Sequence, residues 1–298
     1  MRPFFSPKPR PHTNATIQVD PTSCQASVKA GSGLLELTRV GQRTVATRAM
    51  ATNPLKLMIP RRRGPAAWIY TSTFGGGLVS GDQIDMNVRL GPDATGVLTT
   101  QASTKIYRNH NGRASRQSLS AVVAPGATLV ITPDPITCFA DALFEQKQRF
   151  DLESGANLVL LDWQTCGRRA RGERWAFQRF HSKTDIYYNN DLILVDSLLL
   201  DAEDGPLTGS FRLGRFNCLA MVVLIGEKLA TACHDLLQTI YEQPVDPGAS
   251  VVDTASPIKH GAIWRILGEN PEQVFQSLKS RLRFLQEIVG ESPWSRKW

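Results

Sequence analysis

Three sets of residues in this chain could do chemistry: clustered glycines ahead of an acid, carboxylates near arginines, and scattered thiols and imidazoles. Gly75, Gly76 and Gly77 precede Leu78-Val79-Ser80-Gly81-Asp82, a run that invites a phosphate-loop reading. A phosphate loop needs Lys-Ser/Thr after its glycines and a helix N-terminus behind them. Neither follows, because residues 83–90 have the alternation of a strand. Ser80 is not a nucleophile elbow either, since its preceding glycine is one position too far away for G-x-S-x-G. The run reads instead as a tight, glycine-dependent turn between strands.

Metal chemistry has no local signature. His12, His110, His181, His234 and His260 form no H-x-x-x-H pair, and Cys24, Cys138, Cys166, Cys218 and Cys233 form no C-x-x-C pair. Cys233 and His234 are adjacent, so on a helix they point in different directions. No tight metal site is expected. Widely spaced cysteines fit reduced thiols in a cytoplasmic protein. Asp82, Asp162 and Glu173 are the acids of interest. Each has two readings, a structural bond to a nearby arginine or a place along a weak metal path.

The elements that must position these residues are mostly strands. From about residue 15 to 225, short alternating or β-branched stretches are separated by Gly, Pro, Asn and Asp. Gln83 to Leu90 puts Ile84, Met86, Val88 and Leu90 on one face and Asp85, Asn87 and Arg89 on the other. Strands are likewise expected at 34–40, 67–74, 96–102, 128–132, 158–163 and 192–200. Turn residues fall between them at 91–93, 109–112, 125–126, 153–155 and 189–191. Two helices follow. Residues 227–243 repeat apolar side chains at helical spacing until Pro244, and 271–289 begins with Asn270 as cap and Pro271 in the first turn. No internal repeat is visible, and no β-α-β alternation supports a doubly wound nucleotide fold.

Composition narrows the function classes. A net charge of +7 and a pI near 9.3 favour acidic partners. Basic clusters at Arg61-Arg62-Arg63 and at Arg168, Arg169, Arg171 and Arg174 suggest an alternative, a basic β-rich nucleic-acid-binding protein. That reading lacks the interleaved aromatics of RNA-binding sheets. No apolar run approaches the roughly 20 residues needed to span a bilayer, so no membrane association is expected. Residues 1–14 read as a flexible Pro/Arg-rich tail, and 15–298 as a single β-rich domain.

One long pattern is more specific. The run from Gly75 to Asp82, an alternating strand, and then Leu98-Thr99-Thr100-Gln101-Ala102-Ser103-Thr104-Lys105-Ile106-Tyr107-Arg108 closely resembles the signature of the UreD/UreH family of urease accessory proteins. Further matches are Pro54-Leu55-Lys56, Pro133-Asp134-Pro135, Cys138 to Ala142 before Gln146, Asp162, and Gly167-Arg168 with Gly172-Glu173. The resemblance implies a mainly β fold of two layered, roughly perpendicular sheets with two helices toward the C-terminus. It implies a non-enzymatic scaffold that bridges apo-urease to a helical accessory protein, UreF, and through it to the nickel-carrying GTPase, UreG. Nickel would then be cargo in transit, with no tightly bound cofactor. The residues it marks as structural or partner motif are Gly75, Gly76, Gly77, Gly81, Asp82, Thr99, Thr100, Gln101, Lys105, Tyr107, Arg108, Gly167, Arg168 and Gly172. Glu173 leads the possible nickel path, with Asp82 and Asp162 behind it.

Overall fold

The computed structural model describes residues 29–60, 64–244 and 246–294. The tail at 1–14, Cys24 and the Arg61–Arg63 cluster lie outside these residues.

The alternating stretches form eighteen strands among the described residues. In chain order they are β1 (Ser32–Val40), β2 (Arg43–Ala51), β3 (Leu55–Met58), β4 (Ala67–Thr73), β5 (Gly77–Leu78) and β6 (Gln83–Leu90). Next come β7 (Thr95–Thr100), β8 (Thr104–Ile106), β9 (Ser115–Val123), β10 (Thr128–Ile131), β11 (Ile136–Cys138) and β12 (Leu143–Leu152). The last are β13 (Asn157–Thr165), β14 (Arg179–Tyr188), β15 (Asp191–Asp201), β16 (Cys218–Ile225), β17 (Val251–Ile258) and β18 (Gly261–Gly268). Every stretch expected from period-2 patterning is a strand, with ends displaced by one or two residues.

Their pairing is a winding. β4, β7, β10 and β13 lie parallel in one sheet, while β6, β9, β12 and β14 lie parallel in the other. The short strands β5, β8 and β11 pair in parallel between them, and β11 also pairs with the end of β13. The chain therefore passes from sheet to sheet and lays each coil on the previous one. Ala67, Gly96, Leu129 and Leu158 stand side by side in register, about 30 residues apart, which is a solenoid period. The coils share a shape and no residue pattern, so no repeat shows in the sequence. The hairpin β1–β2 extends the smaller sheet beside β6, β15 closes its far edge, and β16, β18 and β17 extend the larger sheet antiparallel.

One core lies between the sheets and includes Leu35, Val88, Leu98, Leu129, Phe150, Leu158 and Ile186. A second lies on the other face of the larger sheet, where Trp68, Val97, Val159 and Trp264 meet helical residues. β13 and β16 are covered on both faces and read as nearly continuous apolar runs. The smaller sheet has an open outer face, and its strands alternate. A third cluster, with Leu78, Ile106, Ile136, Phe144 and Trp175, fills the end where the short strands stack.

Helix α1 (Ala230–Tyr241) follows a single 3-10 turn at Glu227–Leu229 and buries Cys233 and Leu236. The region expected as one helix over 271–289 is two, α2 (Pro271–Arg281) and α3 (Leu285–Val289). Asn270 caps α2, its side chain accepting from the Glu272 N–H at 3.0 Å, with Pro271 in the first turn. Between the helices, the N–H groups of Leu285, Gln286 and Glu287 donate three residues back, to Leu282, Arg283 and Phe284. This tightening rotates the chain between helices, and Leu282, Leu285 and Val289 are all buried against the sheet. No helix among the described residues is long and apolar enough to cross a membrane.

Candidate functional site

The winding brings most of the motif residues to one end of the coils, where consecutive turns stack. Gly75 and Gly76 have φ of +78° and +71°, in the left-handed region that glycine adopts without steric cost. Gly77 is extended, but a Cβ there would collide with the Lys105 carbonyl and the Tyr107 ring. Gly77 and Leu78 pair with Lys105 and Ile106. The Tyr107 N–H donates to the Leu78 carbonyl at 2.9 Å, and its hydroxyl reaches back to the Gly75 carbonyl at 3.0 Å. Asp82 accepts the Val79 N–H at 2.9 Å and closes the turn.

The next coil continues the ladder. The Tyr107 ring meets Phe139 edge-on at 5.2 Å, the Arg168 guanidinium lies 4.0 Å above Phe139, and Arg108 pairs with Asp141 at 3.2 Å. Arg168 grips Glu173 with two N–H groups, one at 2.8 Å to Oε2 and the other to Oε1. Glu173 also accepts the Ala140 N–H at 3.1 Å. The Arg168 hydrogen bond, with smaller help from the Ala140 N–H, holds the Glu173 carboxyl below its ordinary range. Gly167 has φ +115° with the Cys138 carbonyl 3.0 Å from where a Cβ would sit, and Gly172 ends a short 3-10 turn at φ +77°. Thr99 and Thr100 belong to the neighbouring corner. Thr99 donates to the Thr132 carbonyl at 2.6 Å, Thr100 Oγ1 accepts the Asp134 N–H at 2.7 Å, and the Gln101 N–H donates to Thr71.

Asp162 stands apart from this ladder. On β13 it faces the space between the sheets, where Gln146 and Gln148 donate amide N–H bonds to Oδ2 at 2.7 and 3.0 Å and Ser182 donates at 3.2 Å. One of the two sequence readings pairs this acid with an arginine. The structure corrects that partner: among the described residues Asp162 has no salt bridge, and its donors are neutral. Burial pushes its carboxyl above the ordinary range, against the three hydrogen bonds that lower it, while the nearby charge of Asp196 raises it further.

Two half-open pockets share this aspartate. One, of about 120 Å³, runs under β4, β7 and β9 past Thr100, Gln117, Asp134, Gln146 and Gln148. The other, of about 560 Å³, opens between β15 and β17 past Ser182, Asp196 and Arg265. Asp162 and Trp163 line both. Glu173 and Asp82 line neither. The structure therefore separates the three acids: two fasten turns and one sits on the interior space. Gln148 and Ser182 were not singled out from sequence, and Gln146 only as the position after the Cys138 to Ala142 match. The signal was there, since Gln146 and Gln148 occupy inward positions of β12 between the buried Phe144 and Phe150.

Other chemistry is not assembled. Among the described residues no group of three or more His, Cys, Asp or Glu could hold a metal ion. All four described cysteines are buried and free, and burial raises Cys218 to about 12 and Cys233 to about 11, so neither is a thiolate at neutral pH. Of the second basic cluster, Arg168 is committed to Glu173, and Arg174 to Asn217 and the Gly214 and Phe216 carbonyls. These guanidinium groups are spent internally, which weakens the nucleic-acid alternative.

Comparison with known proteins agrees with the motif pattern. The family model described as UreD urease accessory protein matches residues 29–298. The chain is 41% identical over 298 residues to urease accessory protein UreD of Sorangium cellulosum (strain So ce56), covering 100% of this chain and 93% of the relative. It is 38% identical over 272 residues to urease accessory protein UreD of Anaeromyxobacter sp. (strain Fw109-5), covering 91% of each. With urease accessory protein D of Arabidopsis thaliana the identity is 33% over 293 residues, covering 89% of this chain and 99% of the relative. By the near-complete family match and these full-length relatives, the chain belongs to the UreD family of urease accessory proteins and takes part in urease maturation.

Proposed function

We propose that this protein is a non-catalytic scaffold that bridges apo-urease to the helical accessory protein UreF and, through it, to the GTPase UreG. Nickel, the cargo, passes through the interior space beside Asp162. The observation that carries this reading is a half-buried carboxylate between the sheets, with no cationic partner among the described residues, shared by two pockets. A permanent nickel site would hold its ion with clustered imidazoles or thiolates. A single carboxylate, held by amide and hydroxyl donors, offers a weaker oxygen ligand, suited to passage. Glu173 and Asp82, whose oxygens are engaged in turn bonds, serve the scaffold.

The test is co-expression of urease structural and accessory proteins with this chain carrying Asp162→Asn, followed by pull-down and urease assay. Assembly of the accessory complex with loss of urease activation supports the path. Full activation refutes it. Failure of the wild-type chain to co-purify with the helical partner refutes the scaffold itself.

A further inference from the structure

The glycine turn at Gly81 borders a niche that neither the ladder nor the interior path uses. It lies at the start of the parallel strands β6, β9, β12 and β14, has a volume of about 270 Å³, and is lined by Arg113, Arg116, Glu145 and Arg179 together with Gly81 and Gly112. Arg116 and Glu145 are in register on neighbouring strands, bonded through Nε and Oε2 at 2.8 Å, and Arg179 reaches Oε1 at 3.3 Å. The Arg116 hydrogen bond holds Glu145 below its ordinary range, so it stays ionised. One carboxylate thus serves two guanidinium groups in a concave site that a third, Arg113, also lines. Among the described residues, the Arg113 side chain has no hydrogen-bond or ion-pair partner.

Arg113 is nonetheless held in place through its backbone. Asn109 donates its side-chain amide to the Arg113 carbonyl at 2.6 Å and accepts the Gly112 N–H at 2.7 Å, while the Arg113 N–H donates to Asn111 Oδ1 at 3.0 Å. Gly81 and Gly112 both have left-handed φ, +85° and +71°, and a Cβ on Gly81 would sit 3.4 Å from Arg113 Nε. The turns thus present an open guanidinium fork beside two others that share one counter-charge. Like charges so arranged repel unless a second anion enters, and a planar fork matches a carboxylate in two-point contact. From this we infer that the niche is a receptor for a carboxylate, with Arg113 as its principal donor and Arg116 and Arg179 supplying field. This site is independent of the nickel path.

The experiment uses the full chain with 15N-labelled arginine and sodium acetate as the probe, exchanged for chloride at constant ionic strength. The Nε–H resonances of Arg113 and Arg116 should shift saturably, with a midpoint on the order of 10 mM, the scale of a charge-assisted two-point contact. Arg149, already engaged by both oxygens of Asp151, should stay still. Arg113→Ala, which removes no internal bond, should keep the circular-dichroism spectrum and abolish the Arg116 response. Uniform linear drift of all arginine signals, or an unchanged Arg116 response in the variant, overturns the site. Arg113→Glu then identifies the source. At least tenfold weaker capture of the helical accessory protein marks the ligand as an acidic side chain of that partner, whereas full capture marks it as a free small carboxylate.

Discussion

Glu173 and Asp162 lie eleven positions apart in the sequence, and both accept three hydrogen bonds, yet the bonds come from different chemistry. Glu173 is gripped by a guanidinium and fixes the turn of its coil. Asp162 receives two amides and a hydroxyl, and has no cation beside it between the sheets. A paired acid contributes to the fold by its bonds, whereas an unpaired buried charge costs stability and persists where function needs it. The ladder of turns and the interior belt are therefore different kinds of polar structure. One fastens successive coils, and the other keeps an unpaired carboxyl available in the space they enclose.

The sharpest way to break this comparison is Asp162→Asn, which keeps the shape and removes the charge. Urease activation should fall by at least about tenfold, the scale of one lost charged group at a functional site, while the accessory complex still assembles in pull-down. The ladder should instead respond in stability. Gly77→Ala forces a Cβ into the Lys105 carbonyl, and the resulting overpacking should cost about 3 kcal/mol in a denaturant titration. Glu173→Ala removes the Arg168 clamp and should lower the melting temperature by about 3 °C. Arg168→Ala in the same background should add little, because the two residues act as a unit.

The smallest effect has the opposite sign. The folded-state pKa of Asp162 is raised, so the folded protein loses stability as pH rises through that value and the carboxyl ionises. Asp162→Asn should therefore melt about 2 °C higher at neutral pH. The gain should shrink as pH falls through the raised value toward 3.8, the ordinary aspartate pKa, where wild type and variant meet in thermal scans. A variant less stable than wild type at neutral pH would place Asp162 with Glu173 and remove the contrast.

Most strands and the α2 cap were legible because their signals are local. Ile84 to Leu90 alternates, and Asn270-Pro271 starts a helix by its own geometry. The coil was not legible. Ala67, Gly96, Leu129 and Leu158 occupy equivalent positions and share little beyond burial, which leaves no periodic residue to read. For the same reason the sequence marked Glu173 and Asp162 as comparable acids. A local turn sets Arg168 beside Glu173, five residues on, whereas only stacking gathers Gln146, Gln148 and Ser182 around Asp162. Likewise Cys138 on β11, Cys166 just past the end of β13 and Cys218 on β16, remote along the chain, are brought near one another by the pairings at Thr137, Thr165 and Cys218. The break at Leu282 was hidden because the apolar spacing continues through it.

The stacked coils also dictate how the chain must be made. A parallel strand closes its ladder only after a full coil has been synthesised, so the contacts that define this protein are non-local and slow to form. Until β14 has been laid beside β12, a ribosome-bound chain carries an unfilled row of backbone donors and acceptors on β12, with the apolar inner face beside it. A nascent chain in this condition is exposed to aggregation and to proteases. Truncation before Arg179 would make that transient edge permanent. The yield of the protein in a cell should thus depend on elongation rate through 153–188 and on what shelters the unfinished coil during translation.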